Sequence, residues 1–176
     1  MTIFFTITDD VASFRKQLGE IVPHITTTVQ AQHIRDTIIK NKQEAAAKGT
    51  KPDEIPVVGV TLAFSKFGLT KVYTSYFLLF LTCSNLVIQM GITENTQDAP
   101  FEAGQFGNIG TLNDNAENWL PVFKDGVHGV IIVAGNCREV IDPKVAEIRV
   151  ILGTTIQEVF HVIGKVRPGE EKGHEQ

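Results

Sequence analysis

The 176-residue sequence predicts an α+β fold of the ferredoxin-like kind. In that arrangement a βαββαβ chain forms an antiparallel four-stranded sheet with helices on one face. Four stretches read as strands, at 2–8, 55–64, 127–134 and 156–166. Two stretches with apolar residues at helical spacing, 11–22 and 138–152, fall between the first and second strands and between the third and fourth. The composition is that of an ordinary globular domain, 43% hydrophobic and 20% charged. It excludes collagen-like and disordered classes and is enough to bury one core.

Residues 2–8 are β-branched and aromatic, as a strand requires. Asp9 or Asp10 can then accept from the free N–H groups of a first helical turn. Val11, Phe14, Leu18 and Ile21 or Val22 line one helix face, which ends near Pro23. From 29 to 48 the residues are strong helix formers closed by Gly49, with Ile34, Ile38 and Ile39 as the apolar stripe. Ile55–Phe64 is the second strand, and Ser65 caps a short helix holding Phe67, Leu69 and Thr70. Residues 93–118, rich in Gly, Asn, Asp and Thr, read as a long loop with a helical stretch near 112–120. Val127–Ala134 is a continuous β-branched run between Gly126 and Gly135. The helix over 138–152 has Val140, Val145, Ile148 and Ile151 or Leu152 as its apolar face. Ile156–Val166 alternates as a half-buried strand, ended by Arg167-Pro168-Gly169, and the polar tail 170–176 has nothing to pack.

Charge and cysteine usage narrow the function classes. Sixteen Lys and Arg against twenty Asp and Glu leave a formal charge of −4. That is not the basic footprint with which a nucleic-acid binder neutralises phosphates. Cys83 and Cys137 stand in unlike contexts, so neither a disulfide framework nor a CxxC metal site is indicated. Residues 1–8 lack the basic leader of a secretory signal and enter a strand directly, which reads as a clipped N-terminus. Between Lys71 and Glu94 there is no charged residue. Its core, Val72–Gln89, is borderline in length for a membrane helix and carries Asn85 and Gln89. Membrane segment, extra core element and sequence foreign to the fold stand as three readings.

Several segments carry a resemblance, in order along the chain. They are IFFTI near the start, VTLAFSKFGLTK (60–71), MGITENTQDAPFEAGQFGNIGTLND (90–114), NWLPVFKDGVHGVIIVAG (118–135) and IGKVRPGEEKGHE (163–175). Together they resemble the N-terminal half of a dye-decolourising (DyP-type) haem peroxidase of the secreted fungal branch. The resemblance implies a haem enzyme that oxidises dyes and phenolic compounds with hydrogen peroxide. It also implies an extracellular setting for the branch.

Two departures qualify it. In the family pattern the GL helix runs straight into the MGIT segment, and deleting Val72–Gln89 restores that join. The stretch is 18 residues, or 54 nucleotides at three per codon, and Val and Gln codons can supply the ends of an intron. Residues 72–89 are therefore expected to be a translated intron inside one incomplete domain spanning 1–176. The family's GHE exit is followed by a GxxDG motif bearing the distal acid–base Asp, and further on by a distal Arg and the haem-ligating His. This sequence shows none of the three before Gln176, so an inactive N-terminal fragment is expected, with no catalytic, cofactor-binding or metal residue assigned in it.

The remaining polar residues offer no competing chemistry. His24, His33, His128, His161 and His174 include no pair with metal-ligand spacing, so His128 and His161 read as partly buried, hydrogen-bonded side chains and His174 as solvated. Arg138 beside Cys137 can lower a thiol pKa, but a loop cysteine after a strand is the commoner case. Gly104, Gly107 and Gly110 have G-x-x-G-x-x-G spacing with no strand leading in, which rejects a dinucleotide fingerprint. Asp98, Glu102 and Asp114 read as solvated loop carboxylates. The alternative to a peroxidase half is a non-catalytic ferredoxin-like module that self-associates through the open face of its sheet. Size-exclusion chromatography separates them, a stable dimer favouring the module.

Overall fold

A computed structural model describes residues 1–74 and 98–164. Four antiparallel strands make one sheet: β1 (Thr2–Ile7), β2 (Val58–Phe64), β3 (Gly129–Gly135) and β4 (Ile156–Val162). Their spatial order is β2-β3-β1-β4, with β1 central beside β3 and β4, as the predicted ferredoxin-like topology requires. Helices α1 (Val11–Ile21) and α2 (Thr28–Lys48) follow β1, and α3 (Lys66–Thr74) follows β2. Then come α4 (Ala99–Gly107), α5 (Ile109–Leu112), α6 (Pro121–Lys124) and α7 (Arg138–Leu152).

The pleat sorts β1 into two faces. Ile3, Phe5 and Ile7 are buried and point to the helices, while Thr2, Phe4 and Thr6 point the other way. On the inner side, Phe5 meets Phe14 of α1 and Phe64 of β2, with ring centroids 6.3 and 6.2 Å away. Val11, Phe14, Leu18 and Ile21 of α1 and Ile141, Val145, Ile148 and Leu152 of α7 close the core over Val60, Ile131 and Val133. The α7 stripe begins at Ile141 where Val140 was expected, because i, i+4, i+7, i+11 from Ile141 keeps all four residues on one face. Phe5 pairs with Gly129, where a Cβ would lie 2.5 Å from the Phe5 ring, so only glycine admits the ring.

Caps fix the helix starts. Asp10 accepts from the Ser13 amide at 3.1 Å, and Ser65 Oγ accepts from the Gly68 amide at 3.1 Å. Thr27 and Gln30 form a reciprocal capping box at the start of α2. On α2 only Ile34 and Ile38 of the expected stripe are half-buried; Ile39 is exposed and Ala45 is the buried residue.

Three sequence expectations are corrected. The second strand starts at Val58, because Pro56 has no N–H to donate and the Val57 amide is taken by Asn136 Oδ1 at 2.9 Å. The segment expected as a loop from 93 is helical across 99–112. Asp98 Oδ1 accepts from the Phe101 amide there, and Asn108 Nδ2 donates to the Pro100 and Gly104 carbonyls. Gly104, at φ 64°, bends α4 inside that stretch. The fourth strand ends at Val162, and residues from 165 lie outside the described ones. Most of the 72–89 stretch lies outside them as well, but Val72 is described: it is buried in the core at the end of α3. Among the described residues no helix is long and apolar enough to cross a membrane.

Candidate functional site

The sheet face turned away from α1 and α7 is the most distinctive surface. Its strand positions are Thr2, Phe4 and Thr6 on β1, Gly59, Thr61 and Ala63 on β2, Val130, Ile132 and Ala134 on β3, and Gln157, Phe160 and Val162 on β4. None carries a charge, and Ile132 and Val162 are 40% and 46% exposed. The register between β1 and β4 shifts between Phe4 and Phe5, which keeps Phe160 beside Phe4 and turns Glu158 to the helix side. There Glu158 takes both the Nε and a terminal nitrogen of Arg149, at 2.7 and 2.8 Å.

At one end of this face the chain from 114 to 123 folds over the strands and leaves a cleft of about 560 Å³. Phe4, Val130 and Gly129 form its floor, Phe64 and Ser65 one end, and Trp119, Leu120 and Phe123 its wall. Phe123 meets Phe4 edge-to-face at 5.0 Å and Phe160 at 5.5 Å, an arrangement that favours aromatic pairs. The wall is positioned by polar contacts: Trp119 Nε1 donates to Asp114 Oδ2 at 2.7 Å, and the Asn115 amide donates to Asp114 Oδ1 at 2.8 Å. Ser65 Oγ donates to the Val127 carbonyl at 2.5 Å. The cleft is thus an apolar, aromatic trough whose polar groups are already engaged. It can exclude water and hold apolar matter, but it pairs no nucleophile with a base.

The sequence candidates fall elsewhere. His24 lies 3.5 Å from Lys144 Nζ and 3.6 Å from Glu147 on α7. His33 is exposed on α2, and His161 is exposed near the end of β4, an edge strand paired on one side only, so the partly buried reading of His161 is corrected. His128 is the partly buried, hydrogen-bonded histidine that was expected: its Nδ1 accepts from the Ile7 amide at 2.8 Å. Burial pulls its pKa down, and the Lys71 ammonium pushes it the same way. Cys137 stands half-buried at the start of α7, and His174 and Cys83 lie outside the described residues. Asp98 caps α4, Glu102 lies within it, and Asp114 is the anchor of Trp119. Among the described residues no three His, Cys, Asp or Glu side chains gather to hold a metal ion. Trp119 and the Phe4–Phe123–Phe160 cluster were missed, although the Phe4-Phe5 doublet already put one ring on each face of β1.

Compared with known families, the chain matches the DyP dimeric alpha+beta barrel domain over residues 1–77 and 82–168. The chain belongs to the DyP-type peroxidase family. A dye-decolorizing peroxidase of Exidia glandulosa is 31% identical over 175 residues, 98% of this chain and 28% of the relative. The structure of an ancestral D-type dye decolorizing peroxidase superposes with a TM-score of 0.70 at 37% identity, over 98% of this chain and 32% of that one. A dye-decolorizing peroxidase in complex with 2,6-dimethoxyphenol superposes at 0.65 with 27% identity, over 99% of this chain and 32% of that one. The chain spans between a quarter and a third of the length of these relatives.

DyP-type peroxidases are haem enzymes, which raises the question of whether the described residues fit the iron. Protein ligands to haem iron are His, Cys, Met or Tyr. None lines the cleft. His128 lies next to it in sequence, between Val127 and Gly129, but a backbone amide can only donate, so Nδ1 is the acceptor and the ring proton sits on Nε2. Neither nitrogen then has a lone pair to offer a metal. Neither the cleft lining nor His128, as it is bonded here, offers the iron an axial ligand.

Proposed function

We propose that residues 1–176 form one wall of a haem-dependent peroxidase that oxidises dyes and phenolic compounds with hydrogen peroxide, and that by themselves they do not catalyse it. The observation that carries this is the uncharged, aromatic sheet face, left open in a chain of the DyP-type family that spans less than a third of its relatives' length. In the family the haem supplies the redox chemistry. The part proposed for these residues is to cover apolar surface and keep water out, with Trp119 held in place by Asp114. In isolation the same face would be left exposed, so the purified chain is expected to aggregate, whereas a stable dimer would favour the non-catalytic module. The test is to add hemin, hydrogen peroxide and 2,6-dimethoxyphenol to the purified chain. Turnover equal to free hemin is expected, and turnover clearly above it overturns the proposal.

The proposal extends to residues 72–89 as sequence foreign to the fold. The support is the sequence join itself, since the family match omits only residues 78–81 and takes in 72–77 and 82–89. Joining Lys71 to Met90 would put a methionine at the buried position of Val72, an apolar exchange that a core accommodates. The mature transcript is expected to lack these 54 nucleotides, and a mature transcript that keeps them contradicts the idea.

A further inference from the structure

We infer that the His128 side chain is an acid-sensitive latch, which fastens Ile7 at the end of β1 to the start of β3 and lets go when its imidazole is protonated. The residue is a junction of three elements. Its Nδ1 accepts from the Ile7 amide at 2.8 Å, and its own amide donates to the Phe5 carbonyl at 2.9 Å. Its carbonyl accepts from the Ser65 amide at 3.0 Å and lies against Gly68 of α3, where a Cβ would sit only 1.9 Å from the oxygen. The tie to Ile7 spans 121 positions of sequence and adds a side-chain bond beyond the last β1–β3 pair, Phe5 with Gly129.

The direction of the switch follows from the partners. A backbone amide cannot accept, so the contact exists only while Nδ1 is bare. Protonation sets N–H against N–H and leaves the Ile7 amide without its acceptor. Around the ring, α3 presents Lys71, and the β1–α1 turn presents Asp9, paired with Lys71 at 2.8 Å. The adjoining strand residues Phe5, Ile7, Ala63 and Phe64 carry no charge. Burial disfavours the charged ring first, and a second positive charge beside Lys71 disfavours it further, which agrees with the lowered pKa of His128.

The sign is therefore fixed. The folded imidazole titrates below its ordinary value of 6.5, so above that pH the latch contributes its full stability. As the pH falls below 6.5 the unfolded chain takes up the proton first, and the contribution is lost down to the folded pKa.

The test is NMR of the purified chain from pH 8 to 5, following the His128 ring and the protection factor of the Ile7 amide, with His128→Gln in parallel. Protection is expected to fall about tenfold for each pH unit below the onset of protonation. The Ile7 amide shift is expected to move with the same midpoint as the ring. His128→Gln, which offers an uncharged acceptor, is expected to lose this pH dependence. Protection that stays flat while the ring titrates, or an equal pH dependence in His128→Gln, overturns the inference. Should the variant fail to fold, the matched midpoints in the unaltered chain still decide it.

Discussion

Gly68→Ala is expected to lower the stability of the fold by about 3 kcal/mol or more, read as a fall in the urea midpoint. Two effects oppose each other at this position. Gly68 is in the first turn of α3, where alanine is favoured over glycine by at most about 1 kcal/mol. Against that, the new methyl carbon would stand 1.9 Å from the His128 carbonyl oxygen and 2.7 Å from its carbon. These are backbone atoms, held by the Ser65 amide on one side and the Phe5 carbonyl on the other, so they cannot swing away as a side-chain end can. Relief requires α3 to lift from the start of β3, which separates Val72 from the core and breaks the Ser65 contacts. The clash wins. A variant as stable as the parent would mean that α3 does not sit against β3 as described.

Phe5→Ala is expected to cost about 3–5 kcal/mol, the range for emptying a fully buried phenylalanine site. Phe5 has no exposed surface and touches Phe14, Phe64 and the backbone at Gly129, so three elements border the cavity left behind. None of the three can collapse into it without giving up its own pairing. The neighbouring Phe4→Ala is the control, since Phe4 lies on the opposite face and is only half-buried, against Phe123 and Phe160. A smaller loss is expected there, measured in the same titration. Equal losses would mean that the pleat of β1 is assigned to the wrong faces.

Much of the fold was legible because its signals are local. The α1 stripe of Val11, Phe14, Leu18 and Ile21 is a pattern of spacing, and Asp10 and Ser65 announce their helices by side-chain chemistry. The sheet order followed from the order of elements, since strand, helix, strand, strand, helix, strand is the βαββαβ pattern of a ferredoxin-like sheet. The errors have physical causes too. Val140 and Ile141 are adjacent and both apolar, and only the neighbours of α7 decide which one is buried. Residues 99–112 have loop composition, yet Asp98 and Asn108 supply the hydrogen bonds that make them helical.

The site was less legible than the fold. A cleft built from Phe4, Trp119 and Phe123 is assembled by tertiary contacts, and no spacing rule joins residue 4 to residue 123. Asp114 looked like a solvated loop carboxylate because its role depends on where the Trp119 ring comes to rest. His128 was rightly expected to be hydrogen-bonded. That its partner is the Ile7 amide, 121 positions away, is information only the fold contains.

The claim that these residues build a wall of a DyP-type peroxidase without holding its iron is tested most directly by titrating hemin into the purified chain and recording the absorption spectrum. The expected result is the spectrum of unligated hemin, with no saturable shift as protein is added. A saturable shift to the spectrum of histidine-ligated iron, removed by His128→Gln, would contradict the claim.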